Sequence, residues 1–90
     1  MRFEWDRLKD EENRTKHGVS FEEASTVFAD PLTATIPDPD HSQTEMRFLT
    51  MRLSSTGRPV VVSHTDEEDD LFRIISAREA TSHERKAYEG

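Results

Sequence analysis

The chain of 90 residues contains no cysteine and only three glycines, one tryptophan and one tyrosine. The missing thiols exclude a disulfide framework and any zinc site that uses cysteine. No apolar run approaches the roughly 20 residues of a membrane span. The acidic start MRFEWDRLKD lacks the apolar stretch of a secretory signal peptide. These absences predict a cytoplasmic protein without membrane contact, and the length predicts a single domain, residues 1–90, with a small core.

Positive charge is scarce, because 12 Lys and Arg stand against 19 Asp and Glu, for a formal net charge of −7. This balance opposes unassisted, tight binding to nucleic acid, which depends on a concentrated basic surface. The cations are nevertheless unevenly placed, since residues 46–90 carry seven of them and five of the eight acids in that half form one run, Asp66–Asp70. Outside this run, which we interpret as a solvated loop, the second half is basic. With 34% charged and 32% hydrophobic residues, we expect a marginal fold that a partner supports.

A first helix is predicted directly after a short apolar entry at Phe3–Trp5. Asp6 is typical of an N-cap, and neither proline nor glycine interrupts Arg7–His17. Lys16 and His17 occupy the last turn, where the helix dipole favours cations. Gly18 follows and can adopt the left-handed conformation that ends many helices.

A second helix is predicted to begin at once, because Ser20 and Glu23 have the spacing of a capping box. Apolar residues then recur at helical spacing up to Phe28. We expect this helix to end near Ala29–Asp30, since Pro31 disfavours helical geometry in the residue before it. Trp5 is interpreted as a core residue and not as a platform for base stacking.

Short β-prone segments make up most of the remaining chain, with the first of them at the N-terminus. They are Met1–Trp5, Leu32–Ile36, Met46–Leu53, Pro59–Thr65 and Leu71–Ala77. Thr81 and Glu84 form another capping box, which opens a last helix over Ser82–Glu89 with Ala87 and Tyr88 facing inward. The predicted fold is therefore α+β: a short N-terminal strand, two helices, an antiparallel four-stranded meander and a C-terminal helix.

Several motifs occur together in a specific order. They include WD-x-x-K at Trp5, Asp6 and Lys9, KHGVSF at Lys16–Phe21, RIISAR at Arg73–Arg78 and ER-x-x-YE at Glu84–Glu89. With Asn13 and the Glu45-x-Arg47 region, they cover nearly the whole chain. The sequence resembles the BrnT family of bacterial toxins in these motifs.

This resemblance implies a RelE-like fold and a ribonuclease activity that halts translation. It also implies a BrnA-like antitoxin whose ribbon-helix-helix part binds the operon's promoter, so that the toxin would meet DNA only indirectly. No cofactor is implied, and a heterotetramer with the antitoxin is one assembly that fits. Since the chain is acidic, we expect it to attract a basic segment of the antitoxin, which would cover the catalytic face.

Metal-free RNA cleavage requires a group that takes the 2′-hydroxyl proton, cations that stabilise the phosphorane, and an acid for the departing 5′-oxygen. The candidate catalytic residues are Arg47, Arg78, Lys16, His17, Glu45 and Tyr88. The candidate substrate-binding residues are Arg73, Arg85, Lys9 and His64. Metal binding is not expected, because neither Asp38, Asp40 and His41 nor the acidic run has the ligand spacing of a calcium or zinc site.

Structural roles compete with these catalytic ones. An arginine can simply pair with a carboxylate across the sheet, and Lys16 and His17 can serve only the last carbonyls of their helix. His64 can lie on the solvated surface, where a nearby carboxylate would favour its charged form. A period of two places Arg73 and Arg78 on opposite faces unless the chain bends after Ser76, so we favour Arg78 together with Arg47.

Two other functions remain open at this level. The chain can be a non-enzymatic interaction module that tunes a promoter-binding partner, or a degenerate toxin that is kept for regulation.

Overall fold

The computed structural model describes residues 1–30, 33–38, 40 and 45–89, without the side chains of residues 88 and 89. The helices are α1 (Arg7–His17), α2 (Phe21–Thr26), which continues into a 3₁₀ turn (Val27–Ala29), and α3 (Ser82–Glu89). The strands are β1 (Arg2–Glu4), β2 (Ala34–Pro37), β3 (Phe48–Leu53), β4 (Pro59–Asp66) and β5 (Leu71–Glu79). The predicted order of elements is confirmed.

Some predicted details are wrong. The second helix leaves α geometry after Thr26, β3 begins at Phe48 and not at Met46, and β5 runs to Glu79. Ala87 is exposed, so it does not face inward, and the side chain of Tyr88 lies outside the described residues. Leu32 lies outside them too.

Local chemistry explains the junction of the first two helices. Asp6 caps α1, since its Oδ1 accepts hydrogen bonds from the backbone N–H groups of Leu8 at 2.8 Å and Lys9 at 3.2 Å. Gly18 ends this helix in the left-handed conformation, with φ of 70°. Asp10 then accepts the backbone N–H of Phe21 at 2.8 Å, which holds the start of α2 against α1.

The five strands form one sheet in the order β1-β5-β4-β3-β2. β1 runs parallel to β5, whereas the other neighbours are antiparallel. Because β1 and β2 lie at opposite edges, the helices between them must cross the sheet, and they cover one of its faces. We call this the helix-covered face; residues Val60, Val62 and His64 of β4 point toward it. The opposite face, to which Val61, Ser63 and Thr65 point, is called the open face.

The core lies between the helices and the helix-covered face. Its buried apolar members are Val19, Phe21, Ala24, Val27, Val60, Val62, Ile74 and Ala77, with Phe3 and Phe28 packed against them. Trp5, predicted to be core, is 36% exposed and meets Phe21 edge-on at a centroid distance of 6.2 Å. The open face is less covered, since Ile36 and Leu53 are more than half exposed.

Glu23 connects α2 to the β3–β4 hairpin. Its carboxylate accepts hydrogen bonds from Arg58 at 2.6 and 2.8 Å, from Ser54 at 2.7 Å and from Thr56 at 2.9 Å. Arg58 also donates to the carbonyl of Gly18 at 2.7 Å. The hydrogen bonds from Arg58 lower the pKa of Glu23 to about 2 against the opposing effect of burial, with smaller contributions from the two hydroxyl groups.

This network predicts a loss of stability in acid. The unfolded chain binds a proton at Glu23 near pH 4.5, whereas the folded chain resists it until about pH 2. The stabilisation is therefore complete above the unfolded pKa and is lost as pH falls through this interval. We expect Glu23→Gln to lower the free energy of unfolding at pH 7 by about 1–2 kcal/mol and to flatten its decline below pH 4.5.

Urea denaturation at several pH values measures this effect. Glu22→Gln is the matched control, because Glu22 is the exposed neighbour of Glu23 on the same helix. An equal response of the two variants would show that the network does not set the acid dependence.

Candidate functional site

An irregularity in β5 brings the candidate arginines to one face. Ser63 of β4 pairs with Ser76, but the next residue, His64, pairs with Ile74, so that Ile75 is left over. This extra residue is a β-bulge, and it reverses the alternation of side chains beyond it. Arg73 and Arg78 both point to the open face, because their partners on β4 are Thr65 and Val61, four positions apart. The expectation that Arg73 and Arg78 point to opposite faces is wrong, because the chain bends just before Ser76.

A cavity of about 250 Å³ lies on the open face. It is lined by Asp38, Asp40, Arg47, Leu49, Ser63, Ser76 and Arg78. Two of these side chains are arginines predicted to be catalytic, and the two serines add hydroxyl groups between them. This arrangement can bind an anion such as a phosphate.

A second cavity of about 280 Å³ lies where α1 passes along β5. It is lined by Lys9, Glu12, Asn13, Lys16, His17, Ile75 and Ser76. β1 pairs with β5 only as far as Arg73, so α1 takes the place of a neighbouring strand along the rest of β5. Ser76 lines both cavities, so the two are neighbours. We call them together the cationic groove, with Lys9, Lys16 and His17 on one side of Ser76 and Arg47 and Arg78 on the other.

Asn13 holds α1 against β5. Its amide donates to the carbonyls of Val19 at 2.8 Å and Ala77 at 2.7 Å, and its oxygen accepts the Ala77 N–H at 3.1 Å. Asn13 is 6% exposed, whereas Leu8 of the same helix is 67% exposed. α1 is thus positioned by a buried polar side chain and not by an apolar stripe. Asn13 therefore also determines where the cations of α1 lie.

Arg78 is also part of a structural ion pair. Its two terminal nitrogens donate to the two carboxylate oxygens of Glu84 in α3, at 2.6 and 2.9 Å. The hydrogen bond to Arg78 lowers the pKa of Glu84 to about 2, and the same bond raises the pKa of Arg78. The Arg78 side chain is 40% exposed, so it can meet a ligand while Glu84 holds it. Arg78 therefore does pair with a carboxylate, as the structural alternative proposed. This pair does not exclude a role of Arg78 in the groove.

Arg47 approaches the groove from the segment before β3. Its Nε lies 3.8 Å from Glu45 Oε1, and its carbonyl accepts the backbone N–H of Asp38 at 2.8 Å. Asp38 is 5% exposed, and its Oδ1 accepts the N–H of Asp40 at 3.1 Å. Two predicted catalytic residues, Arg47 and Glu45, are thus neighbours at one end of the groove.

His64 lies elsewhere. It is 2% exposed on the helix-covered face, where its Nε2 is 2.7 Å from the Thr50 hydroxyl. Burial lowers its pKa, although a hydrogen bond with the Thr65 backbone and the charge of Asp66 act in the opposite direction. The expectations of a solvated surface position and of a favoured charged form are both wrong, because the sheet alternation turns this side chain into the core.

Of the other predicted substrate-binding residues, Lys9 lines the groove, whereas Arg73 and Arg85 lie beside it. Arg73 is exposed on the open face, two positions from Ser63 in the β4 register, and Arg85 is exposed on α3. Ser63, Ser76 and Asp38 line the groove but were not among the predicted site residues. Small hydroxyl side chains in strands carry no sequence signal of function, and Asp38 was considered only as a metal ligand.

Among the described residues, no three His, Cys, Asp or Glu side chains converge in a way that could hold a metal ion. His41, one of the residues considered, lies outside them. In the part of the chain that the structure describes, no helix has the length and apolar character to cross a membrane.

Comparison with known families decides the identity of the chain. The family described as the ribonuclease toxin BrnT of type II toxin–antitoxin systems matches residues 5–84. The chain belongs to the BrnT family. The resemblance in the KHGVSF and RIISAR motifs is thereby confirmed, and the match extends over most of the sequence. Type II membership also implies an antitoxin partner. No curated protein matches this sequence.

A solved BrnT structure has the same fold. The crystal structure, at 1.1 Å resolution, of the Brucella abortus ribonuclease toxin BrnT superposes with a TM-score of 0.66 at 19% sequence identity. The alignment covers 91% of this chain and 99% of that one. The predicted α+β class is confirmed, with a mixed five-stranded sheet in which only β1 is parallel.

Proposed function

We propose that this BrnT-family chain cleaves RNA in its cationic groove by attack of a 2′-hydroxyl on the adjacent phosphate. The 2′-oxygen loses its proton to a base and bonds to phosphorus, the bond from phosphorus to the 5′-oxygen breaks, and that oxygen takes up a proton. The products are a 2′,3′-cyclic phosphate and a 5′-hydroxyl. The observation that carries the proposal is that Ser76 lines two cavities whose walls together hold four Lys and Arg side chains and His17, in a chain of net charge −7.

The cations have a clear task in this reaction. Charge develops on the non-bridging oxygens of the phosphorane, and fixed cations stabilise it more than they stabilise the ground state. We assign this role to Arg47 and Arg78, whose planar guanidinium groups can hold two oxygens each, and to Lys16. Lys9, at the α1 side, and the exposed Arg73 and Arg85 would bind neighbouring phosphates.

Proton transfer is assigned to groups at the two ends of the groove. The imidazole of His17 can donate or accept a proton, and Glu45 beside Arg47 can act as a base. Tyr88 remains a candidate by sequence alone. We further propose that cleavage inhibits translation in the cytoplasm and that a BrnA-like ribbon-helix-helix antitoxin neutralises the toxin, in a heterotetramer that reaches promoter DNA only through the antitoxin.

One observation favours a second function. Arg78 is already bound in bidentate fashion by Glu84, and carboxylates Asp38, Asp40 and Glu12 line the groove among the cations. These acids repel phosphate. The alternative is a regulatory partner of the DNA-binding antitoxin, either an interaction module or a toxin that has lost its activity.

The products of RNA cleavage test the proposal. We expect the purified chain to cut a 5′-labelled single-stranded RNA in the presence of EDTA, leaving a 2′,3′-cyclic phosphate on the upstream fragment. The same oligonucleotide with 2′-O-methyl groups throughout is the matched control and should remain intact, since it has no nucleophile. Cleavage of the methylated strand, or fragments that begin with a 5′-phosphate, would contradict the mechanism; no cleavage of either strand would favour the regulatory function.

A further inference from the structure

A third pocket lies on the helix-covered face, opposite to the cationic groove, at the end of the sheet that carries the acidic loop Asp66–Asp70. It has a volume of about 300 Å³ and is open to solvent. Aromatic rings of Phe28, Phe48 and Phe72 line it together with His64. The mechanism proposed above uses none of these side chains.

The aromatic wall is held in a fixed arrangement. The rings of Phe28 and Phe72 are stacked at a centroid distance of 5.4 Å, and His64 meets Phe28 edge-on at 4.9 Å. Phe48 stacks on His64 at 6.0 Å, and Thr50 fixes the imidazole through a 2.7 Å hydrogen bond. A pocket with such walls is formed before any ligand arrives, so little ordering is needed on binding.

The rim of the pocket is acidic. Asp30, Asp66 and the N-terminal residue Met1 line it; Asp30 is paired with Arg52 at 2.5 Å, and Asp66 begins a run of five consecutive acids. Within the described residues, Asp66 forms no salt bridge, whereas Asp70 pairs with the N-terminal ammonium at 2.8 Å. The loop thus places more negative than positive charge beside an apolar wall. A ligand that suits both features has a flat or aliphatic body and a cationic end.

We infer that this pocket binds an arginine side chain from a basic segment of a partner protein. The guanidinium group fits because it stacks on aromatic rings and can donate to Asp66 at the same time, whereas a phosphate or carboxylate group would be repelled by the rim. The inference rests on the proposed function in one respect, since we expect the antitoxin of the proposed toxin–antitoxin pair to supply the arginine. The expectation from sequence placed the basic segment on the catalytic face; the combination of Asp66 with an aromatic wall favours the opposite face.

Binding of a defined peptide tests the inference without any assay of RNA cleavage. Acetyl-Ala-Arg-Ala-amide is titrated into the full ¹⁵N-labelled chain, with the citrulline peptide, which has the same shape and no charge, as the control ligand. We expect saturable shifts of the backbone amides of Phe48, His64 and Phe72 with the arginine peptide alone. Asp66→Asn should weaken this binding about fivefold, the effect of one partly exposed ion pair.

Glu68→Gln is the matched protein control, because it removes the same charge from the same loop at a residue that does not line the pocket. It should leave the affinity within about twofold of the wild type.

Equal weakening by both variants, equal binding of the citrulline peptide, or shifts confined to the acidic loop would each overturn the inference. Tighter binding of spermidine at the same amides would make the pocket a polyamine site, and shifts that grow with protein concentration alone would assign it to a second copy. Peptide binding by a chain that fails to cleave RNA would uphold this pocket and refute only the proposed function.

Discussion

Replacement of both Arg47 and Arg78 by alanine is expected to abolish growth arrest and to reduce RNA cleavage by at least about a thousandfold. Both arginines line one cavity on the open face, together with Ser63 and Ser76. A phosphate that spans this cavity would lose its two planar donors, and Lys16, on the far side of Ser76, cannot replace their geometry. Single-turnover cleavage rates and growth after controlled expression measure the two effects.

The structural role of Arg78 must be separated from its role in the reaction. Arg78→Ala also breaks the bidentate pair with Glu84, which holds α3 and whose Oε1 in addition accepts the N–H of Thr81 at 3.0 Å. Glu84→Gln breaks the ion pair but leaves the arginine in the groove, so it should keep most of the cleavage activity. If Glu84→Gln is as inactive as the double variant, the loss reflects a loosened α3 and not the missing cations.

Loss of charge alone is controlled by a second double variant. Arg7 and Arg14 lie on the face of α1 that points away from the groove, and their side chains are 89% and 54% exposed. Arg7→Ala/Arg14→Ala removes the same total charge and should leave the cleavage rate within about threefold of the wild type. Persistent arrest in the Arg47→Ala/Arg78→Ala variant would exclude both arginines from catalysis.

Replacement of Asn13 by alanine is expected to lower the free energy of unfolding by about 3 kcal/mol, or the melting temperature by more than about 10 °C. Asn13 makes three buried hydrogen bonds with the backbone of Val19 and Ala77. Alanine leaves two carbonyls and one N–H without their partner, and each buried polar group that is not satisfied costs about 1–3 kcal/mol. Thermal and urea denaturation measure this loss.

Glu11→Ala serves as the control for this helix. Glu11 is solvent-accessible on α1 and only approaches Arg7, at 3.6 Å, so its replacement should change stability by less than about 0.5 kcal/mol. At temperatures where Asn13→Ala is still folded, we also expect slower RNA cleavage, because Lys9, Lys16 and His17 are carried by the helix that Asn13 positions. A stability loss below about 1 kcal/mol would mean that water replaces the amide and that α1 is held by other contacts.

The sequence by itself determined the elements whose signals are local. Asp6 and Gly18 bound the first helix because a cap acts within three or four residues of itself, and the Ser20 hydroxyl, which accepts the backbone N–H of Glu23, opens the second in the same way. The Glu23 carboxylate does not complete the predicted capping box, because it binds the β3–β4 hairpin instead. Gly57 provides the positive φ of 84° in the β3–β4 hairpin. The combined motifs were sufficient for the family, because their order and spacing extend over most of the chain.

Only the tertiary structure decided what depends on residues far apart in the chain. The parallel pairing of β1 with β5 and the bulge at Ile75 result from how β5 packs between two neighbours, and the bulge alone brings Arg73 and Arg78 to one face. Asn13 meets Ala77 across 64 positions, a contact with no local signature. His64 lies in the core and not at the surface because the alternation of β4 turns it toward the helices, where burial outweighs the charge of Asp66.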